Sequence, residues 1–319
     1  MTAGGPSGPA ASIDRVSQTE LPVREAAIGV GAGVDAQRLV ERAARSDQVT
    51  SIGPMTRWPR LDLPELWRYR ELLGTFVWRD IKVRYKQTTV GVAWALLVPI
   101  FTAVVYIVVF GRFAKFPRGN LAYPVLVLSG LLPMQYFTSS LSSAAISVVG
   151  NSTLVTKVYF PRVLLPIAAV LVPAIDFLLS MTVLLGVMAY YSSWPAGPIA
   201  LLAPLFLLLA LVAALGLGLF LAALNVRYRD VAYAIPVFLQ VLPLLSAVPF
   251  ALDQIPVKWQ WILSVNPMTT AISGWRWTLL AGAAPDPIRT AVGVGVALLL
   301  FVGGLAFFRS TEPRFADTI

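Results

Sequence analysis

GPIALLAPLFLLLALVAALGLGLFLAAL, residues 197–224, holds 28 consecutive positions without a charged side chain or a side-chain hydrogen-bonding group. A helix needs roughly 20 apolar residues to cross a hydrocarbon layer of about 30 Å, so this run takes lipid as its solvent. Five further apolar stretches flank it: Val90–Gly111, Ala122–Val149, Val163–Tyr191, Ala232–Phe250 and Ile288–Phe308. In lipid every backbone polar group must be satisfied by a helix or a closed barrel, and none of these stretches shows the roughly ten-residue alternation of barrel strands. The expected fold class is an all-α polytopic membrane protein with six transmembrane helices.

Composition points the same way. Of 319 residues 57% are hydrophobic and 13% charged, against about 25% charged in soluble domains. Cysteine and histidine are both absent, which excludes disulfides, thiolate nucleophiles, Cys or His metal sites and histidine acid–base chemistry. No G-x-x-x-x-G-K-[ST] loop occurs, so the chain lacks the glycine-rich cradle that holds nucleotide phosphates. Its energy has to come from a partner or from an ion gradient. A gradient relay needs several ionisable groups within the membrane, and Asp176 is the one carboxylate inside an expected span. That leaves Asp176 a packing, hydrogen-bonding or channel role.

The net charge of +9 reflects topology rather than nucleic acid. With the N-terminus inside, the cytoplasmic flanks and loops from Arg57 onward carry 14 Lys and Arg, against 6 on the opposite side. This is the sign of the positive-inside rule with both termini cytoplasmic, although Arg112, Lys115 and Arg118 run against it. Residues 1–56 are rich in Gly, Ala, Ser and charge and are expected to form a disordered cytoplasmic tail. Met1–Ala11 has none of the marks of a signal peptide.

The membrane domain is expected over 57–319. It begins with an interfacial helix within 57–89, where Arg68, Glu71, Thr75, Arg79, Lys82 and Lys86 recur at three- and four-residue steps on one polar stripe. Leu66, Tyr69, Leu73, Phe76 and Val77 occupy the other face, and Trp67 and Trp78 suit the headgroup layer. Asp80 and Arg84 intrude on the apolar side at a spacing that lets them pair. Such a helix either fixes orientation as a basic flank or acts as a lever lying on the membrane.

Between the second and third spans lies NSTLVTKVYFPRVLLP, residues 151–166. A polar start, an amphipathic turn and the Phe160–Pro161 stop suggest a short helix across the membrane surface at 151–162. A bare connection would not require Leu154, Tyr159 and Phe160 near water.

Together with WRDIKVRYKQTTVGVAWALLVPI at 78–100, KVYFPR at 157–162, LNVRYRDV at 224–231, NPMTTAISGWRWTLLAG at 266–282 and FRSTEPRFADTI at 308–319, the chain resembles the permease subunit of type-2 ATP-binding-cassette exporters for O-antigen, teichoic acid and related surface glycans. The resemblance covers about residue 60 to the end. It implies a homodimer in the bacterial inner membrane, clasped on its cytoplasmic face by two copies of a separate ATPase subunit that holds ATP and Mg. No cofactor and no catalysis are then expected in this chain. Residues 151–162 would be the coupling segment, with Thr153, Leu154, Lys157, Tyr159, Phe160 and Arg162 as its contact residues.

Residues 251–287 are divided by Pro256, Pro267 and Pro285 into pieces too short to cross. They read as two re-entrant or interfacial half-helices, and the resemblance implies an outer gate with Trp259, Trp261, Trp275 and Trp277. A conduit for a lipid-linked polysaccharide needs flat apolar faces with polar edges, for which Trp94, Tyr106, Tyr123, Tyr136, Phe137, Tyr233 and Phe238 are the candidates. The serines and threonines of Thr138–Ser147 and the glycines at 216, 218, 293, 295, 303 and 304 suit close helix packing. Two other functions fit the same architecture: a type-2 permease for a drug or small lipid, and a membrane glycosyltransferase. The second would need a cluster of catalytic charges, whereas the exterior acids are only Asp253 and Asp286.

Overall fold

The computed structural model describes residues 67–86, 92–113, 122–193, 195, 197–282 and 284–318. The expected disordered tail, 1–56, lies outside the described residues. Among the described residues twelve α-helices follow in order: α1 Arg70–Lys86, α2 Val92–Tyr106, α3 Tyr123–Gly150, α4 Ser152–Lys157, α5 Leu164–Leu171, α6 Pro173–Tyr190, α7 Ala203–Arg227, α8 Val231–Leu245, α9 Val257–Ser264, α10 Pro267–Leu280, α11 Pro287–Thr311 and α12 Phe315–Thr318. No strand occurs among the described residues. Among the described residues four segments are both long and apolar enough to cross a membrane: Ala93–Phe113, Leu164–Tyr190, Gly197–Arg227 and Pro287–Arg314.

The axis of the fold is α3, which starts on Pro124 and is buried along most of its length. It packs on α7, on the α5–α6 pair and on α10. Its hydroxyls mend broken backbone elsewhere. Pro173 interrupts the run from α5 into α6, and near that break the Val170 carbonyl accepts from Ser140 at 3.2 Å and Tyr136 at 3.4 Å. Likewise Pro99 in α2 has no N–H for the Ala95 carbonyl, which accepts instead from Ser180 of α6 at 2.9 Å. The end of α2 widens into a π-helix at Ile107–Phe113.

α7 and α11 cross almost backbone to backbone. A Cβ on Gly216 would lie 2.5 Å from the main chain of Phe301, and one on Gly304 would overlap the Gly216 carbonyl. Gly218 faces the Ala144 methyl of α3, and Gly293 faces Thr270. Gly295 and Gly303 meet nothing within 4 Å, so four of the six glycines singled out in the sequence serve close approach and two do not.

The expected span at 232–250 is cut short. α8 carries Pro236 and Pro243, ends at Leu245 and is followed by Ala247 in the left-handed region at φ 55°. This leaves carbonyls in the core without helical donors. Arg276, buried in α10, supplies them: it donates to the carbonyls of Leu126, Ala247, Val248 and Phe250 and to the Ser129 hydroxyl at 2.6–3.3 Å. Gly130 leaves the room, because a Cβ there would strike the guanidinium.

At the opposite end of the bundle a second apolar cluster joins Phe76 of α1, Val155 and Phe160 around α4, Leu164 and Leu165 of α5, Val226 of α7, Phe308 of α11 and Phe315 of α12. The amphipathic helix, the short helix and the C-terminal tail therefore share one end.

Candidate conduit and coupling site

The expected coupling segment contains α4. Six residues cannot hold a helix in water alone; α4 persists because Val155 and the following Phe160 are buried in the apolar cluster, with Phe160 edge-on to Phe76 of α1 at 5.6 Å. Arg79 of α1 donates to Asn151 at 2.9 Å, just before the helix. After it, Arg162 donates its backbone N–H to Glu312 at 3.0 Å and its guanidinium to the Glu312 carbonyl, while Arg309 pairs with the same Glu312 at 3.1 Å. Of the expected contact residues, Thr153, Lys157 and Tyr159 are exposed, Tyr159 by 87%. Leu154, Phe160 and Arg162 face inward, because the apolar pair is needed to seat the segment and the cation is spent on the tail.

On α1 the polar stripe is present, with Arg68, Lys82 and Lys86 exposed and Arg79 half-buried. The pairing inside it differs from expectation. Asp80 pairs with Arg79 at 2.8 Å, and Arg84 instead reaches Asp176 of α6, which also accepts from the Tyr85 hydroxyl. Burial and that hydrogen bond push the Tyr85 phenol above its ordinary pKa. The carboxylate at the start of α6 is thus answered by the end of the amphipathic helix. Arg84 and Asp176 are 92 positions apart, and no local spacing signals the pair.

Beside this triad lies a cavity of about 420 Å³ whose walls include Trp94 of α2, Gln135, Tyr136 and Thr138 of α3, and Asp176. On the other side of the same α3 stripe, Gln135 and Thr138 floor an open groove of about 200 Å³ between α2 and α8, bordered by Tyr106. Tyr233 and Phe238 stand on the outward face of α8, 81% and 58% exposed, opposite its buried residues Ile235, Leu239 and Leu242. Four of the seven aromatic candidates line neither the cavity nor the groove, Tyr233 and Phe238 among them. Phe137 lies in the core, and Tyr123 is buried with its hydroxyl on the Pro249 carbonyl at 2.9 Å. Tyr136 borders the cavity but also packs edge-on to Phe177 at 6.0 Å, which in turn packs on Trp275.

The expected gate segment folds as α9 and α10, with Asn266 capping α10 by accepting from the Met268 N–H. Its tryptophans divide by depth. Trp259 and Trp261 of α9 are exposed, Trp277 is half-buried against Phe206 at 6.5 Å, and Trp275 is in the core. Next to them Asp286 caps α11, accepting from the N–H groups of Ile288 and Arg289; those bonds hold its carboxyl below the usual carboxylate range.

The described residues form a helical bundle with several segments long and apolar enough to cross a membrane, a short helix seated at one end and broken helices at the other. Residues 71–280 match the family described as ABC-2 type transporter, and the chain belongs to that family. It is similar to the "O-antigen export system permease protein RfbA" of Myxococcus xanthus, 30% identical over 80% of this chain and 98% of the relative. The protein of the same name from Klebsiella pneumoniae is 27% identical over 78% and 95%. The "Polysialic acid transport protein KpsM" of Escherichia coli is 22% identical over 73% and 91%.

Proposed function

We propose that this chain is the membrane subunit of an ATP-driven exporter that moves a lipid-linked polysaccharide across the bacterial cytoplasmic membrane. The observation that carries the reading is its likeness, along nearly their whole length, to permeases named for O-antigen export. In this reading the chain spans the membrane six times, with α3 and α8 crossing beside the four long apolar segments. Both termini lie in the cytoplasm, and α9 and α10 form re-entrant gate helices outside. Two copies form the conduit, and two copies of a separate ATP-binding-cassette subunit bind ATP and Mg and supply the hydrolysis.

The geometry supports a route for force. Closure of the ATPases would press on Thr153, Lys157 and Tyr159. α4 is held to α1 through Phe76 and Asn151, and α1 is held to α6 through Arg84 and Asp176. A push at the docking surface therefore reaches a membrane helix through fixed contacts rather than through a loose loop. The groove between α2 and α8, paired with its copy across a dimer, would form the wall, with Tyr106 offering a ring face and Gln135 and Thr138 offering polar edges.

Deleting the gene in the producing cells tests the reading. Lipid-linked glycan is expected to accumulate on the cytoplasmic side while surface glycan disappears, with recovery on complementation. Unchanged surface glycan in the deletion strain would reject it.

A further inference from the structure

The tail after α11 has no part in the route for force described above, yet it folds back onto the docking segment, 151–162. α12 packs on α4 and on α7. Phe315 is buried, edge-on to Phe308 at 5.2 Å and in the same apolar cluster as Val155 and Phe160. Between those two rings in sequence, Glu312 caps the end of α11. One of its carboxylate oxygens accepts from the Arg162 backbone N–H at 3.0 Å, the other pairs with Arg309 at 3.1 Å, and its carbonyl accepts from the Arg162 guanidinium. The Glu312 side chain is 13% exposed, so water competes little for these bonds.

The bond to the Arg162 N–H is one that the local sequence does not supply. Arg162 stands just ahead of α5, where N–H groups entering a helix lack helical acceptors. Ser, Thr, Asp or Asn ordinarily answers them, but Phe160 and Pro161 precede Arg162 and Val163 follows, none with a side-chain acceptor. The acceptor comes instead from 150 positions away, at the end of α11. α11 belongs to one of the long apolar segments and crosses α7 almost backbone to backbone. The docking segment is thereby held at its two ends by different helices: Arg79 of α1 binds Asn151, and Glu312 binds Arg162.

We propose that Glu312 is a positioning residue for energy coupling, a role that rests on the ATP-driven export reading. Its charge-assisted bond fixes the downstream end of the docking segment to α11, so that closure of the ATPase moves α11 instead of flexing the chain at 158–163. Docking and coupling then separate. In Glu312→Ala the exposed Thr153, Lys157 and Tyr159 remain, and Val155 and Phe160 still seat α4, so the ATPase assembles and hydrolyses ATP while export falls. The test complements the deletion strain with each variant and measures surface glycan, then ATP hydrolysis by the complete transporter purified from the same cells into nanodiscs, both per assembled complex. For Glu312→Ala, hydrolysis is expected within about twofold of wild type and surface glycan roughly fivefold or more lower, the low end of coupling between sites. Glu312→Gln keeps an oxygen for the Arg162 N–H but loses the charge opposite Arg309; it should export within about twofold of wild type, since helix pairs at that spacing contribute little. Three results would overturn the proposal: loss of assembled complex that accounts for all the missing glycan, unchanged export in Glu312→Ala, or Glu312→Gln as damaging as the alanine, which puts the effect in the Arg309 pair. If the deletion strain keeps its surface glycan, the export reading falls; if wild type and Glu312→Ala restore the glycan equally, only the role of Glu312 falls.

Discussion

Asp176 and Arg84 bring opposite charges together between the end of α1 and the start of α6. Their side chains are 21% and 40% exposed, so the pair is screened more than a buried one but less than a surface one. Asp176→Ala and Arg84→Ala are each expected to cost about 1–2 kcal/mol, with a coupling of about 0.5–1.5 kcal/mol between them in a double-mutant cycle. Asp80→Ala, which removes only the half-exposed bond to Arg79, should change stability by less than about 0.5 kcal/mol. Reversible unfolding in mixed micelles measures all of these. A coupling of Arg84 to Asp80 as large as that to Asp176 would contradict the observed pairing. The i,i+4 spacing of Asp80 and Arg84 was legible in the sequence and misleading, since a neighbouring arginine and a distant aspartate both offered better geometry.

At the scale of elements, the crossing of α7 and α11 depends on absent side chains. Gly304→Ala would place a methyl against the Gly216 carbonyl and force the two helices apart, at a cost of about 1–3 kcal/mol or more, as in other overpacked cores. Gly303→Ala, on the open side of the same helix, should be neutral or stabilising by up to about 1 kcal/mol through helix propensity. Yield and thermal stability of the purified chain separate the two, and equal damage from both would exclude backbone contact as the reason. The short α4 gives a second expectation. Single cysteines at positions 153, 157 and 159 should crosslink to the ATPase subunit, whereas one at 160 should not, because that side chain is 5% exposed in the apolar cluster. Mass spectrometry of crosslinked complexes decides it; efficient linkage from 160 alone would reverse the assignment of faces.

For the whole molecule the decisive measurement is sidedness. Phe76, Phe160 and Phe315 gather in one cluster, so positions 157 and 314 should both be protected from an impermeant thiol reagent in intact cells. A cysteine at 259 should label. Labelling at 157 would overturn the six-span topology and with it the cytoplasmic docking surface. The cysteine-free sequence makes the experiment clean.

The apolar runs were sufficient, from sequence, for a helical membrane protein, because bilayer thickness and the cost of burying charge act on each segment separately. Proline spacing likewise marked α9 and α10 as separate pieces. The short α8 was not legible: its run is apolar to Phe250, and only the fold shows the chain turning at Ala247 with Arg276 waiting to take its carbonyls. Nor could periodicity say which rings face a wall. Tyr123 and Phe137 look like Tyr233 and Phe238 in composition, but α3 is enclosed by neighbours on nearly every side while α8 is covered on one. Which face of an all-apolar helix is buried is a property of what packs against it, and that is decided only when all the helices are in place.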